Sequence, residues 1–198
     1  MLKYLLPILL TGLVCVGPAR ANDIDQHVNE SRKLVQEFTQ SLKRELQRGL
    51  KAGGPTYAIG VCNVNAPMIA AALANESGWE VGRTSLRIRN SGNSPDDWER
   101  HILETFEERL LSGEQATEIE YFEVVQEGGD RVFRYMKAIP TAKMCESCHG
   151  STLDPSVKQR LRDLYPMDQA RGYHAGDIRG AFTLAKSLST EDAGDPDD

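Results

Sequence analysis

The chain has 198 residues, 40% hydrophobic and 26% charged, which suits one soluble globular domain, or at most two small ones, and excludes wholesale disorder. Its 23 Lys and Arg against 29 Asp and Glu leave a net charge of −6, so nucleic acid finds no general electrostatic attraction. Four cysteines are too few for a disulfide-dense scaffold, so their positions carry the information.

Met1 to Tyr4 carries one positive charge and runs into an apolar stretch from Leu5 to Val16. Ala19-Arg20-Ala21 then offers the small-x-small pattern of signal peptidase, which predicts a signal peptide over residues 1–21. The stretch is short for a bilayer span, and Val14 before Cys15 is too large for a lipoprotein signal. The expectation is an exported, periplasmic protein with no stable membrane anchor after cleavage. Loss of Lys3, Arg20 and Cys15 leaves 21 basic residues against 29 acids, a charge of −8, and an odd set of thiols, Cys62, Cys145 and Cys148. An unpaired thiol in an oxidising compartment needs a role.

From Asn22 to Leu50, Val28, Leu34, Val35, Phe38, Leu42, Leu46 and Leu50 recur at helical spacing, and Gly53-Gly54-Pro55 stops the pattern. Tyr57 to Cys62 is short and apolar, with Cys62 at the edge of a strand-like run. Asn65 and Pro67 then open a second, Ala-rich helix that ends at Gly78. Trp79 to Arg89 alternates in part and reads as a strand, basic on one side. Ser94-Pro95-Asp96-Asp97 starts a helix that closes at Gly113. Glu118–Gln126 and Arg131–Ile139 flank Glu127-Gly128-Gly129-Asp130, a hairpin signal. Pro155 opens a helix closed by Pro166, and Ile178 to Leu188 reads as the last strand. The acidic tail, residues 189–198, is expected to be disordered. Helices around an antiparallel sheet make the fold class α+β.

Cys145-Glu146-Ser147-Cys148-His149 is C-x-x-C-H, the attachment signature of a c-type haem. Two thiols at this spacing can add to the two vinyl groups of one porphyrin as thioethers, which sets the next residue's imidazole beneath the iron as proximal ligand. Chance supplies the pattern only about 0.002 times in a chain of this composition. A thioredoxin-like dithiol wants its C-x-x-C at a helix start early in a βαβ unit, and a zinc site wants two further ligands; neither context is present. The reading is one covalently attached haem c. For the second axial position the candidates are Cys62, His27, His101, His174, Met68, Met136, Met144 and Met167, or an open site; Cys62 stands out as the unpaired thiol.

Further segments resemble a family of single-haem c-type domains with a PAS-like fold, found as free exported proteins and as sensory parts of histidine kinases. The resemblance rests on Cys62-Asn63 with Ala66-Pro67-Met68-Ile69-Ala70, on Arg83 through Asn90, on Asn93 through Glu99, on Cys145 through Gly150 and on Gly176 through Ala181. It covers about Val28 to Leu188 and departs at Ser91-Gly92, where Pro is expected after the Arg-Asn pair. It implies a PAS-like antiparallel sheet with a long N-terminal helix, and His149 and Cys62 as the two axial ligands.

A thiolate opposite a histidine stabilises ferric iron, so the expected reduction potential is low. Arg83, Arg87 and Arg89 are candidate partners for the haem propionates. No acid–base constellation suggests an enzyme. Two functions remain: a redox or small-ligand (NO or CO) sensor that signals through a partner protein, and a soluble electron carrier between redox partners.

Overall fold

The computed structural model describes residues 19–188, so most of the expected signal peptide over residues 1–21, and the tail over residues 189–198 expected to be disordered, lie outside the described residues. The first helix, α1 (Ala19–Ser77), is two helical arms broken at Gly53 and Gly54. Gly54 takes φ 67°, a left-handed conformation that costs a side-chain-bearing residue but not glycine. Pro55 follows, where a missing N–H and a fixed φ suit the first turn of the next arm. The arms fold back on each other: Asn65 Nδ2 donates to Glu45 Oε2 at 2.7 Å. The strand-like reading of 57–62 is therefore corrected, since that run lies within the second arm and puts Cys62 on a helix. Within Asp23–Ser77 an 18-residue window reaches a mean hydropathy of 1.5, long and apolar enough to cross a membrane by composition. In the folded domain 22% of that window is buried.

The strands β1 (Glu80–Thr84), β2 (Glu120–Glu127), β3 (Asp130–Pro140) and β4 (Ile178–Leu188) form one antiparallel sheet in the order β1-β4-β3-β2. The β2–β3 turn is Gly128-Gly129, both at positive φ, as a two-residue hairpin wants. The strand expected over 79–89 stops at Thr84. Ser85 instead turns inward, its hydroxyl bonding Arg87 O and Arg179 O, so Arg87 and Arg89 sit on an irregular segment.

Period-two alternation divides the core. On one face Phe133, Tyr135, Phe182 and Leu184 pack on Val28, Leu34 and Phe38 of α1, with Trp79. On the other, Met136, Ala138, Ile178 and Ala181 pack on Ile102, Leu103 and Phe106 of α2 (Asp97–Leu111). The cap of α2 is Asp96 rather than Ser94, in a reciprocal capping box with Glu99. The fold is α+β, with the long N-terminal helix and antiparallel sheet that the sequence leads one to expect. The short α3 (Glu146–His149) and α4 (Pro155–Leu164) close one end: Val157 and Leu161 pack with Leu153 on Ile59 of the second α1 arm.

Candidate cofactor site

A cavity of about 220 Å³ opens between the two arms of α1 and the turn that carries C-x-x-C-H. Cys62, Cys145, Cys148 and His149 all line it. Leu42, Leu46 and Leu50, which the helical pattern marks as core, form its apolar wall with Ala58, Ile59 and Ile139.

His149 is held from behind. Its Nδ1 lies 2.9 Å from the carbonyl oxygen of Ala170 and 3.1 Å from Nε of Arg179. A carbonyl only accepts and a guanidinium only donates, so the two contacts demand opposite states of Nδ1. Burial, then the charges of Arg89 and Arg179, push the imidazole pKa well below its ordinary value, so the ring is neutral with one proton. With that proton on Nδ1 the Ala170 bond forms and Nε2 keeps a lone pair for a metal.

Burial raises the Cys62 thiol, against the opposing pull of Arg83. Cys148 is also raised by burial, opposed by a hydrogen bond from Ser147 and by Arg89. Arg83 lines the cavity and lies beside the Phe38 ring at 5.5 Å. Among the described residues it makes no ion pair, and burial pulls its pKa down. A part-buried, unpaired guanidinium is a site for an anion.

Arg89 and Arg179 line the same cavity. Burial, together with the charges of Arg89 and Arg83, lowers Arg179 to about 10. Arg87 does not line it. Its Nη1 donates to Arg171 O at 2.8 Å and its guanidinium stacks 3.7 Å over Tyr173. Arg89 is committed to protein partners: Nε donates to Asp168 Oδ1 at 2.9 Å, and Nη2 to Cys148 O at 2.6 Å and Ala170 O at 3.0 Å. Of the three arginines singled out in the sequence, Arg83 is the one left for an anionic group.

The other axial candidates separate cleanly. His27 is buried against Trp79 and Phe133, Met136 is in the α2-side core, and His101, His174, Met68 and Met167 are exposed away from the cavity. Only Cys62 and Met144 line it, and Met144 is 40% exposed at the mouth. Asp168, Ala170 and Arg179 carry no motif of their own. Arg179 does fall inside Gly176–Ala181, a segment that the family resemblance uses.

The donor set fits a flat, apolar cofactor with an anionic edge: two thiols, a neutral imidazole, a third thiol, aliphatic walls and a free cation. Residues 20–187 match the Tll0287-like family. The chain belongs to the Tll0287-like family. Among solved structures, it is similar to the crystal structure of the cyanobacterial heme-protein Tll0287, with a TM-score of 0.63 and 21% identity. That match covers 83% of this chain and 96% of the other. At this identity the likeness shows the shared fold. No curated protein matches the chain.

Proposed function

We propose that the chain is an exported c-type monohaem protein acting as a redox or small-ligand sensor. One observation carries the reading: the C-x-x-C-H turn and the distant Cys62 face one cavity whose wall also holds an unpaired arginine. The heme-protein relative of the same fold supports it. Bound there, haem supplies a one-electron iron couple and a metal that takes small ligands.

The chain's residues divide the work. Cys145 and Cys148 would anchor the group through thioethers, each S–H adding across one vinyl double bond with no net oxidation. His149 would present Nε2 because Nδ1–H donates to the Ala170 carbonyl. Cys62 would supply its sulfur from the second arm of α1 after losing a proton that burial otherwise holds; Arg83 beside it would ease that loss. Arg83 is also the cation available to a propionate. A buried thiol that prefers its proton is a ligand easily given up, and it lies on an arm hinged at Gly53–Gly54. Release of Cys62 on reduction, or on binding NO or CO, would loosen that arm and pass the signal to a partner protein.

The electron-carrier reading is favoured by the exposure of Met144 at the cavity mouth, where a redox partner could approach. Absorption spectra of the ferric and ferrous forms, with and without CO, separate the two. A sensor shows loss of the thiolate signature on reduction and a CO complex. Unchanged ligation and no CO complex leave the carrier. A colourless protein made with haem-attachment machinery overturns both.

A further inference from the structure

Asp168 is a carboxylate with 0% side-chain exposure, which the sequence places in an unremarked linker after Pro166. A buried charge is tolerated only when its partners satisfy it, and two of the partners here, Arg89 and Ala170, lead to His149. Its Oδ1 accepts from Arg89 Nε at 2.9 Å and from the backbone N–H of Ala170 at 3.0 Å. Its Oδ2 accepts from Arg171 Nε at 2.8 Å. Held in this way, Arg89 bridges the carbonyls of Cys148 and Ala170 with one nitrogen. Tyr173 N donates to His149 O at 2.9 Å, which ties the 168–173 segment to the haem-attachment turn, and Gln169 N donates to Ile88 O at 2.8 Å, which ties it to the segment that carries Arg89.

The consequence falls on Nδ1 of His149, which has two suitors. The Ala170 carbonyl needs the proton on Nδ1 and leaves a lone pair on Nε2, which faces Arg89 Nη1 at 3.5 Å; Arg179 Nε needs a lone pair on Nδ1 and sends the proton to Nε2. We propose that Asp168 is the positioning residue that decides this contest: it fixes Ala170 and Arg89, aims the Ala170 carbonyl at Nδ1, and keeps Nε2 presented as a strong donor toward the cavity. This rests on the haem reading above and extends it to a residue that touches neither cofactor nor ligand. Loss of the carboxylate removes a negative charge near the iron and weakens the Nδ1–H bond. Both effects make the imidazole side less able to support ferric iron.

The test uses Asp168→Asn in the haem-loaded full chain, with Cys62→Ser added so that the ferrous iron–histidine stretch can be seen by resonance Raman. The expected result is a lower stretching frequency and a higher midpoint potential than the matched parent. Arg171→Gln breaks another bond to the same carboxylate without touching Ala170 or Cys148, and should leave the stretching frequency unchanged. Arg89→Lys keeps the charge but cannot span the two carbonyls, and should shift the stretch as Asp168→Asn does; it serves where Asp168→Asn fails to fold. A folded, haem-loaded Asp168→Asn or Arg89→Lys with parental stretch and potential overturns the proposal. A colourless parent is the separate failure of the haem reading. Nitrogen NMR of the His149 ring in that chain still decides: the Nδ1–H tautomer in the parent and a mixture in Asp168→Asn support the role of Asp168, and identical tautomers refute it.

Discussion

Replacing Gly180 with alanine should strike the fold and the site together. Gly180 lies on β4 beside the register irregularity at Ile139/Pro140, at φ 153°, in a region that side-chain-bearing residues avoid. An added Cβ would overlap the carbonyl oxygen of Thr84 and stand 3.0 Å from the Cβ of Ser85. Neither neighbour can yield easily, because Thr84 pairs with Ala181 across the β1–β4 ladder and the Ser85 hydroxyl donates to Arg179 O. Backbone strain of this kind costs about 1–3 kcal/mol, and overpacking against backbone about 1–3 kcal/mol more. Against a total stability of roughly 5–15 kcal/mol, a loss of about 2–6 is large. At about 2–4 °C per kcal/mol for a domain of this size, the melting temperature should fall by roughly 4–24 °C. Differential scanning calorimetry on the haem-loaded protein measures it. A drop of less than about 1 °C would show that β1 and β4 do not cross as closely as described.

Cys62→Ser should leave the pigment attached through Cys145 and Cys148, alter the ferric spectrum, raise the midpoint potential and admit CO or other exogenous ligands; an unchanged spectrum and potential would make Cys62 a packing residue. Arg83→Gln should lower the midpoint potential, since a cation on the cavity wall favours the ferrous form. Protein-film voltammetry reads that shift, and a rise would place Arg83 elsewhere. Burial works against the Asp168 carboxylate, but hydrogen bonds from Arg89 and Arg171 outweigh it and hold its pKa below the ordinary 3.8. A depressed folded-state pKa contributes stability above the ordinary value and loses it as pH falls through the folded one. Urea midpoints should therefore drop more steeply below about pH 3.8 in the parent than in Asp168→Asn, and parallel curves would contradict the pairing.

The sequence exposed what local pattern encodes. The hairpin around Gly128-Gly129 and the strand from Ile178 follow from period-two apolar residues and turn chemistry, and C-x-x-C-H is legible from spacing alone. Thiol arithmetic and the family resemblance both point to Cys62, but its short apolar surroundings look like a strand and are part of a helix. Gly53-Gly54-Pro55 looks like the end of a helix, and only the packing of the two arms shows that Pro55 also begins the next. Leu42, Leu46 and Leu50 have the periodicity of core residues, and periodicity cannot tell a protein core from a cavity wall. Asp168 and Arg179 were not legible as site residues because their meaning lies in contacts with Arg89 and His149, 79 and 30 residues away in the chain. Arg87 was grouped with Arg83 on alternation that ends at Thr84, where Ser85 turns into the domain.

The central claim is that this cavity holds one haem bound covalently through Cys145 and Cys148. Intact-protein mass spectrometry after acid–acetone extraction tests it most directly, on the full chain expressed with haem-attachment machinery. The account predicts a single species of chain mass plus one haem, reduced to the bare chain mass in the Cys145→Ala, Cys148→Ala double variant. Parent protein that gives up all its pigment to the solvent and weighs only as much as its chain would contradict it.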